Sequence, residues 1–169
     1  MRTLLTLLIS LVSPAVFADA LTLHVPGEHW SLLLESPPLK TVKDDASGRA
    51  YQYWGTAGRL NVSLQSDNGQ CPGTDTDSEW HKCMLDRVVN SPIVVSPSVE
   101  VTNTSLGQMV SYLGRVTVGG KTVESVNVNI LFMKNEKECN LHMSMLLPLT
   151  EDDKAMFVTL VNSSRVVEK

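Results

Sequence analysis

Charge is thin in this 169-residue sequence and clusters nowhere: charged residues make up 19%, with 14 Lys and Arg against 18 Asp and Glu, for a formal charge of −4. Without a Lys/Arg cluster there is neither the electrostatic footprint of a nucleic-acid binder nor a basic membrane patch. Aromatic residues amount to only 5%. No apolar run approaches the roughly 20 residues a membrane span needs. Phosphate-cradling glycine loops, the dinucleotide fingerprint, kinase elements and the nucleophile elbow are all missing. What is present, 43% hydrophobic residues, is a globular composition and excludes collagen-like, mucin-like and disordered chains. The length predicts one domain, two at most.

The opening residues, MRTLLTLLISLVSPAVFADA, have the form of a secretory signal. Arg2 is the positive n-region, Leu4 to Val12 the apolar h-region, and Val16-Phe17-Ala18 the small-residue cleavage site. Cleavage is expected after Ala18, with Ala20 as the alternative. The predicted organisation is a signal peptide over 1–18 and a single domain over 19–169, placing the chain in the periplasm or outside the cell. In such an oxidising compartment two of the three cysteines pair. Cys71–Cys83, a short local loop, is the favoured pair; Cys83–Cys139 and three free thiols are the alternatives.

Strand-like runs at 21–25 and 30–35 flank Pro26-Gly27, and 40–48 reads as a polar connection. A hairpin is predicted from 49–54 and 59–65 around Gly55 and Gly58. In its second strand Leu60, Val62 and Leu64 point one way and Asn61, Ser63 and Gln65 the other. Asp77 or Ser78 would cap a helix reaching Val89, with Trp80, Cys83, Met84, the stem of Arg87 and Val88 at its apolar positions. Four strands follow, at 98–103, 107–118, 122–133 and 138–147. Thr150 then caps a second helix to about Val161, its first turn carrying Glu151, Asp152 and Asp153, and 164–168 is a final short strand. Two amphipathic helices and a mostly antiparallel set of six to eight strands make an α+β layered domain.

The order of Leu60-Asn61-Val62-Ser63, Cys83 within the first helix, Ser111-Tyr112-Leu113, Asn127-Val128-Asn129, Cys139 to Ser144, and Asp152/Asp153 to Phe157 with Ser164-Arg165-Val166 resembles small exported bacterial proteins with the PsbP-like α/β/α sandwich. That resemblance implies a curved antiparallel sheet with helices on its faces and a binding or assembly role, and brings no catalytic residues. It also implies a bacterial source, so three matches to the glycosylation sequon, at Asn61, Asn103 and Asn162, read as chance.

The most informative segment is the pair of strands around the turn Lys134–Lys137. A tight turn there sets Asn129 opposite His142, Asn127 opposite Ser144 and Leu131 opposite Asn140. Val128, Ile130 and Phe132 then share the other face with Leu141, Met143 and Met145. One face is core; the other is polar and uncharged. It is either a solvated sheet face or a recognition surface offering oriented donors and acceptors. Asn is a poor strand former, so Asn127, Asn129 and Asn140 run against local propensity. His142, Asn129, Asn127 and Ser144 are therefore the candidate ligand-binding residues.

No catalytic residues are expected. Ser144 lies two positions from His142 on one strand face, about 7 Å away by strand rise, with no acid to orient the ring. No metal is expected either: Cys71, His81, Cys83, Cys139 and His142 match no zinc spacing, and positions 139 and 142 of a strand face opposite ways. Asp75 to Glu79 lacks the Gly and Glu of a calcium loop and reads as a helix cap. Tyr51 and Tyr53 share a face with Trp54 opposite, an arrangement of packing or of stacking on a sugar or peptide.

These features point to an exported, non-enzymatic binding or accessory module without a cofactor, its partner a protein or a small ligand. The alternatives are a small-ligand carrier built on the polar face around His142, and a periplasmic inhibitor or immunity protein.

Overall fold

The computed structural model describes residues 19–47, 50–67, 71, 76–95 and 98–169; the predicted leader lies outside them. In chain order the elements are β1 (Asp19–His24), β2 (Trp30–Ser36), β3 (Lys40–Ser47), β4 (Ala50–Ala57), β5 (Leu60–Asp67), α1 (Asp77–Val89), β6 (Glu100–Asn103), β7 (Gln108–Val118), β8 (Lys121–Lys134), β9 (Lys137–Leu146), α2 (Glu151–Ser163) and β10 (Arg165–Glu168). The α+β class is as expected. The strands, however, form two sheets: seven in the order β3-β4-β5-β9-β8-β7-β6 and three in the order β1-β2-β10. All pairings are antiparallel.

Alternation decides which side of each strand is core. Leu60, Val62 and Leu64 of β5, Val128, Ile130 and Phe132 of β8, and Leu141, Met143 and Met145 of β9 are buried in one cluster with Trp30, Leu32 and Leu34 of β2 and Phe157 and Leu160 of α2. The small sheet and α2 therefore cover one face of the large sheet, and Trp30 meets Phe132 edge-on at 6.3 Å between ring centroids. Glu28 ties the entry to β2 onto the β8–β9 turn. Its carboxylate accepts from Trp30 Nε1 and Asn135 Nδ2 at 3.0 Å each and pairs with Lys137 Nζ at 3.0 Å. That turn has Asn135 and Glu136 at positive φ, the two-residue geometry that matches strand twist.

On the opposite face, a second cluster joins Trp80 and Met84 of α1 with Cys71, Val110, Tyr112 and Leu131. Cys71 and Cys83 are bonded to each other, twelve residues apart, as favoured from the sequence, and Cys139 is a free, buried thiol. This disulfide fits an oxidising compartment.

Several boundaries differ from expectation for identifiable reasons. The segment 40–47 is a strand, not a connection: β3 is an edge strand exposed along its whole length, so no buried face left an alternation to read. The hairpin turns at Gly58, whose φ is +57°, while Gly55 lies inside β4, where a Cβ would strike the Tyr53 hydroxyl. Thr76, one residue before the expected cap, closes α1 by accepting from Glu79 N. Thr150 caps α2 as expected, in a reciprocal box with Asp153.

Candidate functional site

The hairpin register holds residue by residue: Asn129 pairs with His142, Asn127 with Ser144, and Leu131 with Asn140. The sheet carries these pairs further than the hairpin alone. Ser63 of β5 pairs with His142, Asn61 with Ser144 and Gln65 with Asn140; Trp54 of β4 pairs with Ser63 and Gln52 with Gln65. Because side chains alternate along every strand, three rows cross one face. The first is Thr56–Asn61–Ser144–Asn127–Tyr112, the second Trp54–Ser63–His142–Asn129–Val110, and the third Gln52–Gln65–Asn140–Leu131–Gln108. The four candidate residues thus sit at the centre of a broader uncharged polar face.

α1 covers the β7–β8 end of that face through Tyr112, Val110 and Leu131, so the face is not simply solvated. Asn127 and Asn129 are only 3% and 4% exposed, and buried amides require partners. Asn127 Nδ2 donates to the Ser125 carbonyl and hydroxyl at 3.0 Å, which turns its Oδ1 toward His142 Nε2 at 3.1 Å. An amide oxygen can only accept, so Nε2 carries the imidazole proton. Asn129 Nδ2 donates to Tyr112 Oη at 3.4 Å. Burial pushes the Tyr112 hydroxyl pKa up, against the lowering effect of the Asn129 bond. Burial also pulls His142 down to about 4, so the ring is neutral near pH 7 and offers one donor and one acceptor.

Away from α1 the face opens into two adjoining cavities. The larger, about 530 Å³, is lined by Gln52, Trp54, Asn61, Ser63, Gln65, His142 and Ser144, with Lys43 at its rim. The smaller, about 200 Å³, is bounded by Ser63, Gln65, Tyr112, Asn129, Asn140 and His142. Trp54 is 44% exposed, in contrast to Tyr51 and Tyr53, which face the core. The Asn140 side-chain oxygen is buried with no hydrogen-bond partner. Lys43 Nζ donates to Gln52 Oε1 at 2.6 Å and lies 3.9 Å from Asp45.

The sequence-predicted residues are therefore brought together, and their surroundings were missed. Asn61, Ser63 and Gln65 already alternated against Leu60, Val62 and Leu64, but their place beside His142 depends on the β5–β9 pairing, across more than seventy positions of chain. The candidate metal ligands are dispersed: Cys71 and Cys83 are bonded together, Cys139 is in the core, and His142 is on the other face. His81 Nδ1 sits 2.7 Å from the Asp77 carbonyl, on α1 itself.

No family model and no curated protein matches the sequence. Among solved structures the chain is similar to one described as the crystal structure of LpqN, involved in cell envelope biogenesis of Mycobacterium tuberculosis. The TM-score is 0.42 with 12% sequence identity, covering 88% of this chain and 84% of that one. A likeness that remote carries no argument about role.

Proposed function

We propose that the protein is an exported binding module, without a catalytic step, whose ligand sits on the polar sheet face around His142. The observation that carries this reading is the continuity of uncharged donors and acceptors from Gln52 to Asn129 across adjoining cavities of about 530 and 200 Å³, together in the size range of small-molecule sites. The signal-like leader and the Cys71–Cys83 disulfide support export, and two helices set against opposite faces of an antiparallel sheet support the PsbP-like sandwich. A ring titrating near 4 and hydrogen-bonded to an amide in place of a carboxylate is a poor general base at neutral pH, which favours binding over catalysis. A protein partner is the second reading. It is favoured by Val116 and Val118, 40% and 66% exposed on the part of the β7–β8 ribbon that projects past its pairing with β9.

Native mass spectrometry of the protein from the exported fraction of its own cells tests the proposal. A small added mass that His142→Ala abolishes is the expected result. An added polypeptide moves the assignment to the second reading. A chain that flies alone in both forms overturns ligand carriage.

A further inference from the structure

Resting on that binding reading, we propose that the ligand is a neutral saccharide, with one pyranose ring stacked on Trp54 and its hydroxyls hydrogen-bonded along Gln52, Ser63, Gln65, His142 and Asn140. Three observations select this class over others.

The first is the indole. Trp54 is 44% exposed where Trp30 and Trp80 are 0% and 2% exposed, and it sits in the central row between Ser63 and Lys43. An exposed indole on a rigid sheet is a flat apolar platform with a polar edge. The C–H face of a sugar ring matches the platform, and its rim of hydroxyls matches the amides around it. The second is charge. Among the described residues lining the larger cavity, Lys43 alone is charged, and it is engaged by Gln52 and Asp45. The smaller cavity has no charged lining at all. Phosphate and carboxylate ligands call for Arg forks or a free Lys, and cationic ligands call for carboxylates; the lining has no Arg and no carboxylate, and its one Lys is engaged.

The third is the kind of hydrogen-bonding group on offer. β5 and β9 are interior strands, paired on both edges, so their backbone groups are used in the ladder. An extended peptide, which binds by adding a strand, gains nothing there. The face offers side-chain amides and hydroxyls, which both donate and accept as sugar hydroxyls do, and one neutral imidazole whose Nε2–H is held by Asn127 and whose Nδ1 accepts. Asn140 lines the smaller cavity with Gln65 and Asn129, and its Oδ1 has no hydrogen-bond partner within the protein.

The test is retention of the disulfide-bonded protein on an array of neutral and charged glycans, with acrylamide quenching of tryptophan fluorescence. The quencher reaches only Trp54 among the three indoles. Retention of a neutral glycan, protection of Trp54 from acrylamide by that glycan, and at least about tenfold weaker retention of Trp54→Ala are expected, the factor corresponding to about 1.4 kcal/mol of lost contact. Trp54→Phe keeps a platform and restores part of the retention. Retention of charged glycans alone, or retention indifferent to Trp54→Ala, overturns the proposal. Should no glycan be retained while native spectra still show a small mass lost in His142→Ala, the saccharide falls and the binding module stands. Should both be blank, both fall.

Discussion

His142 Nε2 donates to Asn127 Oδ1 across 3.1 Å, on the strand next to its own, and Asn127 is in turn held by Ser125. The imidazole is thus fixed in one tautomer, with Nδ1 left as an acceptor toward the face.

That arrangement gives a signed pH dependence. In the unfolded chain His142 titrates near 6.5, and in the fold near 4. Between those values the unfolded state binds a proton that the native state refuses, so stability falls as pH drops through this window. The full difference is on the order of 3 kcal/mol. Urea unfolding at pH 7 and pH 4.5 is expected to show the loss in the wild type and a much smaller one in His142→Gln. An imidazole NMR titration midpoint near 6.5 would refute it.

Gly114 faces the same amide. A Cβ placed there meets Asn127 Nδ2 at 2.5 Å and Ser125 Oγ at 3.2 Å. Gly114→Ala is therefore expected to cost about 1–3 kcal/mol by overpacking, and to shift His142 resonances on the neighbouring strand. Ala substitution at exposed Gly120 is the contrast, since its positive φ is strained but nothing lies within reach of the new Cβ, and His142 should not respond.

The thiols divide sharply. Burial pushes Cys139 up to about 12, so it should resist maleimide in the native protein and react fully in urea. Replacing Cys71 and Cys83 together by Ser removes a cross-link over a twelve-residue separation, expected to cost about 3 kcal/mol as read by urea unfolding. Fast labelling of Cys139 in the native state would contradict its placement in the core.

Glu28 and Lys137 form the most buried ion pair among the described residues, their side chains 13% and 12% exposed. Burial alone would raise the Glu28 pKa, but the hydrogen bonds from Asn135, Lys137 and Trp30 and the Lys137 charge hold it below the ordinary carboxylate value. Its contribution is therefore complete above about pH 4.5 and lost as pH falls through the lower native value. Glu28→Gln should cost on the order of 2 kcal/mol at pH 7 and nearly nothing in strong acid, measured by thermal unfolding across pH.

Much of this was legible because the signals were local. The hairpin register followed from one tight turn and a period of two, the second helix announced its start through Thr150, and the first was placed to within one residue of its Thr76 cap. What escaped was non-local or faceless. β3 buries nothing, so Lys40 to Ser47 has no pattern. The division into two sheets depends on β10 returning to β2 across most of the chain, and no residue pattern encodes that pairing. The site was legible in its centre, at His142, Asn129, Asn127 and Ser144, and illegible at its margin. Trp54 reads identically as packing or platform until the β4–β5–β9 pairing gives it neighbours.

The buried polar row also disciplines folding. If β9 slipped by one residue against β8, Leu141 and Met143 would turn toward Asn127 and Asn129, while His142 and Ser144 would be driven in among Ile130 and Val128. Asn127 Oδ1 would then lose His142 in a site closed to water. A sheet with two apolar faces would tolerate that error; this one penalises it on both faces at once. The side chains that give the face its chemistry are thus also the lock on its register, and a variant that trades them for aliphatics would be free to misalign.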